Sequence, residues 1–193
     1  DGLARKLAEH HRISQDHFGL DHDNFIGSTP QKNDLEKDGI VFIRNQTIQF
    51  QRQVARKAGL LPVTIDKKID SLCENLNRFL DTSGERPALM HGDLWSGNYF
   101  SDSKGNPCIF DPAVYYGLRE ADIAMTELFG RLPERFYDAY HEAFPINHGY
   151  HERKDLYNLY HLLNHLNLFG SSYLSSVQKI CLLYTSDAAD EGL

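Results

Sequence analysis

The chain has 193 residues, 41% of them hydrophobic and 24% charged, the make-up of one globular domain with a sizeable core. Its formal net charge of -7 argues against a nucleic-acid surface, which needs clustered Lys and Arg. No apolar run approaches a membrane span, and the charged, amphipathic start DGLARKLAEHH does not read as a signal peptide.

Residues 2–15 have helical period through Leu3, Leu7, His10 or His11, and Ser14. Residues 16–33, DHFGLDHDNFIGSTPQKN, are rich in Gly, Asp, Asn and Pro and predict a loop. Helical period resumes over 34–59 and can end at Gly59. Pro62 restarts it, with Ile65, Ile69, Leu72, Leu76, Phe79 and Leu80 as a core stripe. The period then changes. Ala88-Leu89-Met90 is a short apolar run, and Asn98-Tyr99-Phe100 and Cys108-Ile109-Phe110 flank the turn-forming SDSKGNP, which predicts a β-hairpin. Helices are predicted over 118–130, 133–144 and 152–168, and a last one from Ser172. The fold class is therefore mainly α with one small β-hairpin.

The chemistry is concentrated in His91-Gly92-Asp93-Leu94-Trp95-Ser96-Gly97-Asn98, followed after the hairpin by Asp111-Pro112-Ala113. Phosphoryl transfer needs a positioned hydroxyl nucleophile and neutralised phosphate charge. A carboxylate can accept the hydroxyl proton, and an amide oxygen and a second carboxylate can hold magnesium, which prefers hard oxygen ligands. Asp93 and Asn98 have the spacing of the Asp and Asn in a protein-kinase catalytic loop, and the hairpin folds Asp111 back toward Asn98. Asp93 is the candidate catalytic base, and Asn98 and Asp111 are the candidate magnesium ligands. His91 is assigned to ordering the loop by hydrogen bonds.

An HGDL run followed by Asn is shared by several small-molecule kinases, aminoglycoside phosphotransferases and choline kinases among them. The longer runs HGDLWSGN, DPAVYYGLREADIAM and LYHLLNHLNLFGSSYL, with NFIGSTPQKN upstream, resemble the fructosamine (ketosamine) 3-kinase family over roughly residues 3–180. The resemblance implies the large, C-terminal lobe of a protein-kinase-like fold. It implies ATP and Mg2+ as cosubstrates, and phosphorylation of the third sugar hydroxyl of ketosamines, as small molecules or on glycated proteins. The unstable product then frees the amine, which is deglycation. The segment NDLEKDGIVFIRNQTIQFQRQ lacks the tryptophan that the family pattern carries there. No Gly-rich phosphate loop or strand Lys is visible, so the small N-terminal lobe is expected to be missing and the fragment to be inactive alone. Two other readings stand beside this one: another small-molecule phosphotransferase, or a non-catalytic kinase-derived binding module.

Other residues are weighed in that frame. Trp95, the only tryptophan, can stack on a sugar or pack the loop. Asp122, just inside a helix, is expected to brace the catalytic-loop backbone. Gln31 and Asn33 are expected in a polar loop facing the cleft, where they can contact substrate or bond local backbone. Arg119 and Glu120 can pair on the surface or shape the acceptor site. His161 and His165 have a zinc-compatible i, i+4 spacing, with no third ligand and a packed helix as the simpler account. Cys73, Cys108 and Cys181 form no disulfide framework, consistent with a reducing cytoplasm. The end CLLYTSDAADEGL abandons the preceding period, so 181–193 is expected to be a non-native tail on a domain of residues 1–180.

Overall fold

The computed structural model describes residues 1–190, with side chains described through 185. It is mainly helical. Helix α1 (Gly2–His11) opens the chain, and α2 (Gly39–Phe42) runs through a π-helical stretch, Ile43–Gln49, into α3 (Phe50–Lys57). Helix α4 (Val63–Glu74) follows. Helices α5 (Glu120–Leu128), α6 (Glu134–Ala143), α7 (Tyr150–Phe169) and α8 (Leu174–Asp190) complete the bundle.

Periodicity explains which faces meet. Ala4, Leu7, Ala8 and His11 form the buried stripe of α1, which packs on α6. Helix α7 is buried nearly all round, from Leu156 to Asn164 without interruption, so it is the central element, with α3, α5 and α8 against it. Its asparagine nitrogens are bonded, with Asn158 Nδ2 donating to Ala124 O at 3.0 Å and Asn167 Nδ2 to Gln51 Oε1 at 2.7 Å, while the Oδ1 atoms of both are buried without a partner.

Sequence and structure part company in three places. The predicted helix over 34–59 starts only at Gly39, because the Asp38 carboxylate caps the Ile40 and Val41 amides. The predicted loop over 16–33 contains a hairpin, β1 (Asn24–Ile26) with β2 (Thr29–Gln31). A second antiparallel pair joins β3 (Ala88–Met90) to β6 (Tyr115–Gly117), so the small β content among the described residues is three two-stranded sheets and not one. Along α8, Cys181 is fully buried and the Tyr184 hydroxyl donates to Glu152 O at 2.7 Å. Residues 191–193 of the expected tail lie outside the described residues.

The third sheet is the hairpin expected from SDSKGNP. Strands β4 (Tyr99–Ser101) and β5 (Pro107–Ile109) pair with Tyr99 opposite Ile109. The Asp102 carboxylate fixes the turn, accepting from Lys104 N at 2.9 Å and Asn106 N at 2.8 Å. This hairpin sets the site, because it returns the chain to Phe110, whose amide donates to Asn98 O at 3.1 Å. No helix among the described residues is long and apolar enough to cross a membrane.

Candidate active site

The site is built where two segments cross. The loop after β3 carries His91 to Asn98, and the segment after β5 carries Asp111 to Ala113. The crossing is tight: Ala113 N donates to His91 O at 2.8 Å, and a Cβ on Gly92 would fall 2.0 Å from Ala113 O. Gly92 also has φ +81, so glycine is required on both counts.

Asn98 faces Asp93. Its Nδ2 donates to Asp93 O at 2.8 Å and to Asp93 Oδ2 at 3.2 Å. The carboxamide nitrogen is thus committed to Asp93, which leaves the Oδ1 oxygen as the group's open acceptor. Asp111 is exposed and holds φ 54, the one positive-φ residue other than glycine among the described residues. Such a conformation costs about 1–2 kcal/mol for a residue with a side chain, and here it falls where the chain returns from the hairpin to the 91–98 loop. Burial pushes the Asp93 carboxyl up to about 6. The nearby Asp111 and Asp122 charges add to that rise, while His91 and the Asn98 bond oppose it. Asp93, Asn98 and Asp111 are therefore gathered at one place.

His91 links the two segments. Its Nε2 lies 2.9 Å from Phe110 O, and its Nδ1 accepts from Asp93 N at 3.3 Å. Asp122, in the first turn of α5, accepts from His91 N at 2.7 Å and Gly92 N at 2.9 Å. Burial acts to raise the Asp122 carboxyl, but the bond from His11, the neighbouring His91 and the Gly92 amide hold it below the usual carboxylate value. Trp95 lies across Gly97, whose Cβ would sit 2.3 Å from the indole, and meets Phe129 edge-on at 6.5 Å. Trp95 as a whole is 38% exposed.

The remaining weighed residues find partners away from an open cleft. Gln31 and Asn33 are 3% and 1% exposed, so their side chains do not face an open cleft. Gln31 Nε2 donates to Asn24 Oδ1 at 2.9 Å and Ala113 O at 3.1 Å, and Gln31 Oε1 accepts from Tyr160 at 2.8 Å. Asn33 Nδ2 donates to Asn24 Oδ1 at 2.9 Å and to His22 O at 3.1 Å. Together they support the 111–114 segment from beneath. Arg119 and Glu120 do not pair with each other. Arg119 binds Glu85 through two bonds of 3.2 Å, and Glu120 binds Arg153 at 2.6 and 2.7 Å. His165 Nδ1 bonds His161 O at 2.8 Å, so the pair does not present a chelating face. The sequence reading singled out neither His11 nor Tyr140. Their contacts to this site span 111 and 129 residues, a separation that local pattern does not encode.

Asn98 Oδ1 and the Asp111 carboxylate are hard oxygen donors suited to magnesium, which completes its shell with water and nucleotide phosphates. Among the described residues no three His, Cys, Asp or Glu side chains gather into a metal site of their own, so a cation here would rely on such further ligands.

The chain is similar to known proteins. The fructosamine kinase family model matches residues 1–185. A probable ketoamine kinase of Vibrio parahaemolyticus is 46% identical over 177 residues, covering 91% of this chain and 60% of the relative. The chloroplastic protein-ribulosamine 3-kinase of Arabidopsis thaliana is 44% identical over 181 residues, covering 92% and 55%. A crystal structure from Thermobifida fusca, named "putative fructosamine-3-kinase", superposes with TM-score 0.87 at 32% identity, covering 94% of this chain and 64% of that one. The chain thus spans about 60% of the length of the curated relatives that it matches. With the fructosamine kinase family model matching residues 1–185, the chain belongs to the fructosamine kinase family.

Proposed function

We propose that the protein carrying this chain transfers the γ-phosphoryl group of ATP to the third hydroxyl of a ketosamine, free or borne on a protein amine. The convergence of Asp93, Asn98 and Asp111 carries this reading. The acceptor class follows the relatives, which bear the names ketoamine kinase and protein-ribulosamine 3-kinase.

In the transfer the sugar oxygen bonds to the γ-phosphorus while the bond from that phosphorus to the ADP oxygen breaks, and the hydroxyl proton passes to Asp93. A carboxyl near 6 is ionised at neutral pH yet basic enough to take that proton. Asn98 Oδ1 and Asp111 would hold magnesium, which would neutralise phosphate charge there. His91 and Asp122 keep Asp93 in place, and the exposed indole of Trp95 stacks on the apolar side of the sugar. The 3-phosphoketosamine breaks down and frees the amine, so the role is deglycation. A Gly-rich loop and a strand lysine come from sequence aligned with the rest of the relatives' length, and these 193 residues alone are inactive.

The test is to recover the complete coding sequence and assay its product with ATP, Mg2+ and fructosyl- or ribulosyl-lysine, following the acceptor by phosphorus NMR. A phosphate ester on the third sugar carbon is expected. Phosphorylation of aminoglycosides or choline with ketosamines untouched would refute the proposal, as would full activity in Asp93→Ala.

A further inference from the structure

The last turn of α1 places His11 against the carboxylate that holds the catalytic loop. Its Nε2 lies 3.1 Å from Asp122 Oδ2, and its Nδ1 lies 2.7 Å from the Tyr140 hydroxyl. The ring is fully buried, and Asp122 is nearly so. Oδ2 is also the oxygen that accepts the His91 amide, so one atom joins α1 to the loop. Among the described residues His11 is the one side-chain donor that Asp122 meets.

The positions around His11 on α1 are apolar: Ala4, Leu7 and Ala8. A leucine would extend that stripe and pack on α6 without the cost of desolvating an imidazole. Both ring nitrogens instead have polar partners, and the chain of partners has a direction. Arg119, anchored on Glu85 and on the carbonyls of Phe144 and Pro145, reaches the Tyr140 oxygen at 3.5 Å. Tyr140 can then donate to His11 Nδ1, which leaves Nε2–H for Asp122.

We propose that His11 is a positioning residue of the phosphotransfer site: protonated on Nε2, it locks the Asp122 carboxylate in the rotamer that grips the His91 and Gly92 amides, and so fixes Asp93. The proposal rests on the kinase reading for its kinetic part only. A charge-assisted bond of this kind is worth a factor of roughly ten to a hundred in a rate that depends on it.

The test compares His11→Leu and His11→Gln, since Gln can restore a donor to Asp122. In the complete enzyme, kcat is expected to fall roughly ten- to a hundredfold in His11→Leu, with KM for both substrates within about twofold, and to recover in large part in His11→Gln. Hydrogen exchange on the 193-residue chain gives the second measurement. In His11→Leu the His91 and Gly92 amides should lose protection while those of Leu159 and Leu163 in α7 keep theirs. Should His11→Leu fail to fold, the nitrogen NMR spectrum of the unsubstituted imidazole still decides, with a proton on Nε2 expected. A proton on Nδ1 alone, equal loss in both variants, or protection lost uniformly across the core would overturn the assignment. If the unsubstituted enzyme phosphorylates no ketosamine, the function falls, while exchange at residues 91 and 92 still decides the role of His11.

Discussion

Asn98 places its carboxamide nitrogen 2.8 Å from the Asp93 carbonyl and 3.2 Å from its carboxylate. One side chain thereby closes the 91–98 loop on itself and fixes which oxygen it offers outward. The hairpin continues from Asn98, whose carbonyl accepts the Phe110 amide, so the loop and Asp111 share a single anchor.

Asn98→Ala removes both bonds and the outward oxygen. In the complete enzyme kcat is expected to fall by about a hundredfold or more, with a rise in KM for MgATP, because both base orientation and metal binding are lost. Steady-state kinetics over a magnesium titration check this. A loss confined to KM, repaired by excess magnesium, would show that Asn98 serves the metal alone.

Asp93→Asn is expected to abolish transfer and to stabilise the metal-free fold. Burial raises the folded Asp93 carboxyl from 3.8 to about 6, so between those values the folded chain holds more proton than the unfolded chain. Stability therefore falls as pH rises through that window and stays lower above it. The gain from removing the charge should be on the order of 1–2 kcal/mol at about pH 8 and vanish at about pH 4, where both forms of the site are neutral. Thermal melts with chelator at the two pH values measure it, and an unchanged or lowered Tm at the higher pH counts against a desolvated Asp93.

The legible parts of the molecule are those written locally. SDSKGNP specifies its own turn through Asp102, and the Asp93 to Asn98 spacing lies within one loop. The apolar stripe of α4 is read directly as Ile65, Ile69 and Leu72. What escaped is non-local. Gln31 and Asn33 look like loop polar groups until Ala113, about eighty residues on, is seen above Gln31. The pairing of β3 with β6 joins Ala88 to Gly117 across the whole hairpin, and neither strand exceeds three residues. Arg119 and Glu120 are neighbours in sequence, yet they point to Glu85 and Arg153 on separate elements.

Removing Arg153 should be among the most damaging single changes away from the site. Its guanidinium binds Glu120 through two bonds and the carbonyls of His148 and Asn147, while Tyr157 donates to Glu120 at 3.1 Å. Both charged side chains are under a tenth exposed. Arg153→Ala strands the Glu120 carboxylate and is expected to cost about 3–5 kcal/mol in denaturant unfolding, whereas Glu120→Leu with Arg153→Met together should cost less than that single change. A single-variant cost below about 1 kcal/mol would mean that water reaches the pair.

His161 gives the fold an acid limit. It sits in the middle of α7 beside a cavity of about 20 Å³ bounded also by Thr47, Tyr115 and Tyr157, and its Nδ1 has no partner. Burial lowers its pKa from 6.5 to about 3, with His165 lowering it further and Asp122 opposing. Between those values the unfolded chain binds the extra proton and the folded chain does not. The stability that the neutral ring allows is thus complete above 6.5 and is lost as pH falls below it. The slope should be on the order of 1 kcal/mol per pH unit, and His161→Gln, which cannot titrate, should flatten it while costing some stability at neutral pH. Urea unfolding of both proteins at several pH values between 4 and about 7 separates the curves, and parallel slopes would place the acid sensitivity on another group.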